Sequence, residues 1–174
     1  MKNLIIVSFI ALSIISCKRS KKNEKENESE TITKITVTLN TGGVANTYSY
    51  SDADGPGGNN PIIDTVFLSS NSNYTSTIKF IDETKQPAED LTQEINEESD
   101  AHQVFYESNS AELKIIYLDK DKNAAPIGIN TAWSTLNKAS GNLKIILKHQ
   151  PDGKTGNTAS GETDVEIVFP LVIK

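Results

Sequence analysis

The chain has 174 residues, of which 36% are hydrophobic, and it carries a formal net charge of −6 at pH 7. This acidic balance disfavours binding to nucleic acid, so we expect no nucleic-acid partner. The chain contains a single cysteine, Cys17, which excludes an internal disulfide and any metal site built from several cysteines.

Residues 1–16 have the pattern of a cleaved secretion signal. Lys2 supplies a positive charge, and an apolar run follows from Leu4 to Ile15. As a helix this run would span only about 18 Å, which is too short for the hydrocarbon core of a bilayer. We therefore predict a signal peptide over residues 1–16 rather than a membrane-spanning helix.

The run Ile14-Ile15-Ser16-Cys17 resembles the lipobox of bacterial lipoproteins, at which signal peptidase II cuts before the cysteine. The resemblance implies a diacylglyceryl group on the thiol and a further acyl chain, such as palmitate, on the freed amine. More than one acyl chain gives a stable anchor where a single chain would not. We predict that lipidated Cys17 holds the protein at the cell envelope. The residue after it is Lys18 rather than Asp, which favours the outer membrane, on its periplasmic or its surface face.

Residues 17–30 predict a tether between the lipid and the folded domain. From Lys18 to Glu30 the chain has no apolar residue and holds five Lys or Arg and four Glu. Such a composition buries nothing, and we expect this stretch to be disordered.

Residues 31–174 are long enough for one domain with a core of its own. Apolar residues alternate with polar ones in about nine short stretches, separated by turn residues, which is the pattern of an all-β fold. We predict an Ig-like antiparallel β-sandwich of about seven to nine strands. The stretches are Ile35–Leu39, Tyr48–Tyr50, Ile63–Leu68, Tyr74–Phe80, Val104–Tyr106, Leu113–Tyr117, the neighbourhood of Trp133, Leu143–Leu147 and Val165–Leu171.

The segment Pro87 to Glu98 interrupts the alternation and predicts one short acidic helix, with Leu91 and Ile95 on one face. It lies in a stretch, Asp82 to Asp100, that carries eight acids against one lysine. The domain as a whole has 11 Lys or Arg against 19 Asp or Glu, so most of its excess negative charge is concentrated here. Such a concentration favours divalent cations or basic partners.

Histidine beside this acidic run suggests a metal site of the zinc or copper type. The candidate ligands would meet if the strands that begin at His102 and end at His149 are neighbours. The alternative is a solvated helix face beside an ordinary surface histidine. The candidate ligands are His102, Glu94, Glu97, Glu98, Asp100 and His149.

Two loops hold the Asp-x-Asp pattern of calcium sites. In the first, Asp52, Asp54 and Asn59 could supply oxygen ligands, but Pro56 and Ile63 occupy positions where a calcium loop needs oxygen. The second, from Asp119 to Asn123, departs further from that template. Tight loops need Asp, Asn and Gly for backbone reasons alone, so plain loops remain the alternative.

The sequence lacks the motifs of common enzymes. No G-x-S-x-G nucleophile turn, H-E-x-x-H zinc motif, P-loop or dinucleotide fingerprint is present. With Cys17 assigned to lipid and only two histidines, we expect no enzymatic activity.

Several runs resemble small envelope lipoproteins of the flavobacterial kind, which are sometimes labelled type 1 periplasmic-binding-fold proteins. The resemblance covers the chain from about Ile32 to its end and implies a role in handling a solute or a metal near outer-membrane receptors. The type 1 fold needs two α/β lobes and roughly twice this length, so the strand pattern favours the sandwich. The runs are 52–61, 87–95, 100–103 and 161–164.

These observations lead to two functional hypotheses. The first is a lipid-anchored envelope binding protein, non-enzymatic, that binds a divalent cation (Zn, Cu or Ca) or a solute through its acidic segment. The second is a structural or adhesin-like interaction module of the outer membrane or cell surface, with no small ligand. Both have the membrane as a partner through Cys17, and both allow an outer-membrane receptor or another protein.

Overall fold

A computed structural model describes residues 31–55 and 57–174. The predictions for residues 1–16, for Cys17 and for the tether lie outside the described residues. Within them, two β-sheets enclose a single hydrophobic core, which confirms the all-β sandwich. In the described part of the chain, no helix has the length and the hydropathy needed to cross a membrane.

The larger sheet has seven strands in the order β3-β2-β1-β5-β9-β8, with β6 added beside β5. Its pairs are all antiparallel. The strands are β1 (Lys34–Thr41), β2 (Val44–Ser51), β3 (Ile62–Ile63), β5 (Asn73–Asp82), β6 (Glu89–Asp90), β8 (Leu113–Tyr117) and β9 (Asn130–Thr135).

The smaller sheet has four strands in the order β4-β11-β10-β7. Its strands are β4 (Val66–Leu68), β7 (His102–Ser108), β10 (Ala139–His149) and β11 (Glu162–Ile173). The sequence had predicted antiparallel pairing throughout. The pair β4 and β11 is parallel, so the sandwich is mixed. The reason is the short link after β3, which takes the chain from the edge of one sheet directly to the edge of the other.

Alternation along the strands fills the core as predicted. In β10, Leu143, Ile145 and Leu147 are fully buried, and Phe169 on β11 and Trp133 on β9 are almost completely excluded from solvent. Burying each such side chain stabilises the fold by about 2 kcal/mol relative to leaving it exposed. The polar residues between them fall on the outer faces because side chains alternate across a strand.

The strand count and the helix differ from the predictions. Residues 31–55 and 57–174 contain eleven strands rather than seven to nine, because the stretch Ile63–Leu68 divides into β3 and β4, and β6 is an additional two-residue strand. The helix α1 spans Thr92–Glu97 instead of beginning at Pro87. Glu89 and Asp90 pair with the end of β5, which keeps the chain extended up to that point. Ile95 anchors the helix in the core.

Candidate functional site

His102 and His149 lie side by side at one end of the smaller sheet. They are register partners, because β7 begins at His102 and the adjacent β10 ends at His149. Their rings stack with centroids 4.7 Å apart and planes inclined by 20°. Both are buried, with exposed fractions of 3% for His102 and 8% for His149. The structure therefore brings together the two histidines that the sequence analysis had paired.

Asp164 completes this cluster through a β-bulge. Val165 lies opposite Leu147 and Thr163 lies opposite Lys148, so Asp164 is the extra residue between them. A bulge redirects the side chain of its extra residue. Here the carboxylate lies against the stacked rings, with its Oδ2 atom 3.8 Å from Nε2 of His102. That distance is too long for a hydrogen bond.

The Asp164 carboxylate is buried without a partner for one of its oxygens. Its side chain is 7% exposed, and Oδ2 accepts no hydrogen bond from the residues that the structure describes. Burial raises the pKa of Asp164 to about 6, although the His149 ring opposes the increase. Burial, followed by the neighbouring His149 ring, lowers the pKa of His102. Both shifts favour neutral forms, as expected for ionisable groups removed from water.

Three of the four predicted acidic ligands, Glu94, Glu97 and Asp100, are exposed or paired elsewhere. Glu94 and Glu97 are exposed on α1, where Glu97 accepts a hydrogen bond from Gln93. Asp100 forms an ion pair with Lys122. Among residues 31–55 and 57–174, no group of three or more His, Cys, Asp or Glu side chains is placed to hold a metal ion. The metal site therefore stays a prediction from the sequence.

Glu98, the fourth predicted acid, contacts His102 through its backbone, and its carboxylate partly opposes the lowering of the His102 pKa. Its carbonyl oxygen accepts hydrogen bonds from the amides of Ala101 and His102, and Nδ1 of His102 lies 3.3 Å from the same oxygen. This contact ends α1 and fixes the orientation of the His102 ring. Because the two rings are stacked, their nitrogens lie in nearly parallel planes and do not converge on one point between them.

In the predicted calcium loop, Asp54 bonds to the loop itself, and its carboxylate also interacts with that of Asp52. Oδ2 of Asp54 accepts hydrogen bonds from the backbone amide of Asn59 at 2.9 Å and from its side-chain amide at 2.7 Å. These bonds close the loop on itself, which is the backbone role that the alternative interpretation assigns to such residues. Asp52 instead lines a cleft between the two sheets.

This cleft lies at the end of the sandwich where β11 begins, and it has a volume of about 400 Å³. Asp164 forms part of its wall from the smaller sheet, and Asp52 and Tyr50 face it from the larger sheet. The Oδ1 atom of Asp52 is also buried without a hydrogen-bond partner among the described residues. The cleft therefore contains two aspartates, each with a buried carboxylate oxygen that accepts no hydrogen bond from the part of the chain that the structure describes.

Several acids of the Asp82 to Asp100 segment are used by the fold itself. Asp82 accepts two hydrogen bonds from Thr84. Glu83 pairs with Lys34 at 2.8 Å, and Asp90 pairs with Lys79 at 2.7 Å. The segment is therefore tied to strands β1 and β5, and its charge is partly compensated within the domain.

A buried ion pair holds the loop after His149 against the start of β7. Nζ of Lys154 lies 2.9 Å from Oδ2 of Asp121, and the exposed fractions of the two side chains are 2% and 1%. Lys154 also donates hydrogen bonds to the carbonyl oxygens of Ser99 and Pro126. The second predicted calcium loop, which contains Asp121, thus holds a lysine of this chain.

Sequence reasoning missed Asp164 and Lys154 as members of this region, and it considered Asp121 only as part of a possible calcium loop. In an unbroken strand Asp164 would face away from the core, opposite to Val165, and nothing in the local sequence indicates the bulge. Lys154 lies in a polar loop with the composition of a solvated turn. A charged residue can be identified as buried only when the strands that cover it are known.

No family model matches this chain, and no curated protein matches it. A solved structure described as "Crystal structure of the S-layer protein SbsC domains 4 and 5" is similar, with 10% sequence identity and a TM-score of 0.27. The match covers 74% of this chain and 63% of that chain, so the chain spans less than two thirds of that structure's length. A likeness at this TM-score carries no argument about the role of this chain.

Proposed function

We propose that this chain is a lipid-anchored, non-enzymatic interaction module of the bacterial cell envelope, which contacts another protein through the outer edge of β2. The anchor is Cys17, in the lipobox-like run Ile14 to Cys17. The proposal follows the structural or adhesin-like hypothesis, because several acids of the Asp82 to Asp100 segment already pair with lysines or a hydroxyl of the domain itself.

The edge of β2 is the observation that carries the proposal. Only Tyr50 and Ser51 of this strand pair with β3, and the Ser49 backbone bonds to Asp64. By alternation along an antiparallel strand, the backbone groups of Ala45 and Thr47 also point outward. In the described part of the chain, no strand pairs with this side of β2 before Tyr50.

Such an edge is normally protected against pairing with another chain by charged residues or proline. The run from Val44 to Ser49 contains neither. Val44 is 60% exposed, and Ile62 on the adjoining β3 is 75% exposed. An edge with free backbone groups and exposed apolar side chains favours the addition of an extended peptide strand, in which main-chain hydrogen bonds provide the affinity.

The test uses the full chain in its native cells, with a photo-crosslinking amino acid in place of Val44. We expect a discrete crosslinked product with one envelope protein. Thr47→Pro removes an outward amide and should abolish that product, whereas Thr47→Ala keeps the amide and should preserve it. Both variants lose the hydrogen bond between the hydroxyls of Thr47 and Thr38, so they are matched. Equal yields from the two variants would contradict strand addition.

The anchor is tested separately by labelling with a palmitate analogue. The full-length chain should incorporate the label and remain in the membrane fraction. Cys17→Ser should lose the label and release the protein into the soluble fraction, because no lipid is attached. Retention of the Cys17→Ser protein in the membrane fraction would show that the attachment does not depend on lipid at this residue.

A further inference from the structure

We propose that the cleft between the two sheets binds an organic cation through a primary ammonium group, with Asp164 and Asp52 as its counter-ions. This inference goes beyond the proposed strand addition and concerns a different surface of the domain. It rests on the composition of the cleft, on the burial of its carboxylates and on the lack of a cation among the described residues that line it.

The described lining of the cleft is acidic and rich in oxygen atoms. It includes the carboxylates of Asp52, Asp164 and Glu166 and the hydroxyls of Tyr50 and Thr163, and it includes no lysine, arginine or histidine. The cleft has a volume of about 400 Å³, which is ample for an ammonium group on a short alkyl stem. Its shape and chemistry therefore suit a small cationic group.

The side chain of Asp164 is the second observation that points to a ligand. It is more than nine-tenths buried, it forms part of the cleft wall, and its Oδ2 atom accepts no hydrogen bond from the described residues. Buried polar atoms almost always have a partner. On the opposite side of the cleft, Oδ1 of Asp52 also accepts no hydrogen bond from the described residues, although the Asp52 carboxylate interacts with the Tyr50 hydroxyl. A cation in the cleft would lie beside both carboxylates and offset their charge.

Two bases near Asp164, Lys148 and His102, have other interactions or a lowered pKa. Nζ of Lys148 donates to the carbonyl oxygen of Gly161 and to the Thr163 hydroxyl. Nε2 of His102 lies 3.8 Å away, and burial lowers the pKa of this histidine, which disfavours its cationic form. Glu166 differs from the two aspartates because Lys144 lies 3.7 Å from it. His149 and Lys148 oppose the increase that burial gives the pKa of Asp164, but neither lies among the described residues that line the cleft, whose own ionisable side chains are all acidic apart from the Tyr50 phenol.

An ammonium group fits this site better than a metal ion. Calcium takes about six to eight oxygen ligands, and the described residues contain no group of three or more His, Cys, Asp or Glu side chains placed for a metal. An ammonium group donates about three hydrogen bonds, which two carboxylates and a hydroxyl can accept. Ile32 and Val165 also line the cleft and provide apolar surface for an alkyl stem.

The test titrates the mature lipidated chain in detergent and follows the amide NMR signals of Thr163, Asp164 and Val165. Butylammonium should shift these signals saturably, and butanol, its neutral analogue, should not. Asp164→Asn and Asp52→Asn should each weaken the binding about tenfold, since each removes a charged hydrogen-bond acceptor. Asp152→Asn removes the same charge from an exposed turn and should bind as the unmodified chain does.

Two further titrations are needed. One, with N-acetyl-lysine methylamide, identifies the source of the ammonium group, and the other, with Ca²⁺, tests a metal ion as the alternative ligand. Tighter binding of N-acetyl-lysine methylamide than of butylammonium would assign the group to a lysine side chain of a protein partner. The reverse order would assign it to a free amine, and either order supports the proposal. Saturation by Ca²⁺ without saturation by butylammonium would overturn it, as would unchanged binding to Asp164→Asn or the absence of saturation throughout the millimolar range.

Discussion

The imidazole rings of His102 and His149 stack across the last register pair of β7 and β10, with their centroids 4.7 Å apart. Two bases that become cations on protonation thus share one buried volume, with the Asp164 carboxylate beside them. This relationship makes the stability of the domain sensitive to pH. The pKa of His102 is lowered and that of Asp164 is raised, so the two groups change the stability in different ways as the pH varies.

The first prediction concerns His102. Burial and the His149 ring lower its pKa below the ordinary value of 6.5, so between the two pKa values the unfolded chain binds more protons than the folded domain. The contribution of His102 to stability is therefore lost as the pH falls through 6.5. Relative to the unmodified chain, His102→Gln should gain about 1 kcal/mol in unfolding free energy between about pH 8 and pH 5.

Urea denaturation of the mature chain at a series of pH values, at constant ionic strength, measures this difference. A constant difference between His102→Gln and the unmodified chain across the series would show that His102 does not titrate differently in the folded and unfolded states.

The second prediction concerns Asp164 and has the opposite sign. Its pKa is raised from 3.8 to about 6, so between these values the folded domain binds more protons than the unfolded chain. Asp164 therefore destabilises the fold above about pH 6, and this cost disappears as the pH falls to 3.8. Asp164→Asn should stabilise the domain by about 1 kcal/mol at neutral pH, a value reduced for partial solvent screening.

The same denaturation series tests this prediction, and Asp152→Asn in an exposed turn is the control. The control should give curves that coincide with those of the unmodified chain at neutral pH. A loss of stability in Asp164→Asn at neutral pH would indicate that the carboxylate has a stabilising partner in solution.

The third prediction concerns the buried ion pair of Lys154 and Asp121. Lys154→Met would leave the Asp121 carboxylate buried without its cation, and we expect a loss of about 3 kcal/mol in unfolding free energy. Lys122→Met removes a lysine of the exposed pair with Asp100 and serves as the matched control. We expect the control to change stability far less, because exposed pairs are screened by water.

The double variant Lys154→Met/Asp121→Asn should cost less than the sum of its two single variants, since neither buried charge then remains alone. Additive losses would mean that the two side chains act independently. Thermal unfolding in parallel with urea denaturation gives both comparisons.

The fourth prediction uses two glycines of the loop between β10 and β11. Gly161 and Gly156 have φ angles of +73° and +72°, so an alanine at either position is strained to a similar extent. A Cβ atom on Gly161 would lie 2.2 Å from the carbonyl oxygen of His149, whereas one on Gly156 would have nothing within 4 Å. Gly156→Ala should cost about 1 kcal/mol, and Gly161→Ala about 3 kcal/mol because the backbone must also move.

Urea denaturation of the two alanine variants isolates the steric contribution beside His149, since the backbone strain cancels in the comparison. Equal losses would show that the loop can move away from His149 without cost. A selective loss in Gly161→Ala would confirm that this loop is packed tightly against the histidine pair.

The sequence alone determined the layers and the core of this domain. Alternation placed Leu143, Ile145 and Leu147 on one face of a strand, and the structure buries all three. Such local patterns are reliable because the side-chain period of a strand is fixed by backbone geometry and does not depend on which strands become neighbours. The lipobox-like run around Cys17 is equally local, and the lipid attachment at the cell envelope that it predicts stays a prediction from the sequence.

Only the tertiary structure decided which side chains lie together around the histidine pair. The pairing of His102 with His149 was conditional on the two strands being neighbours, and only the register of β7 and β10 fulfils that condition. The bulge that turns Asp164 inward, and the burial of Lys154 beside Asp121, left no local signal. The physical reason is that burial and charge pairing depend on contacts between residues far apart in the chain, whereas composition and periodicity report only on neighbours along it.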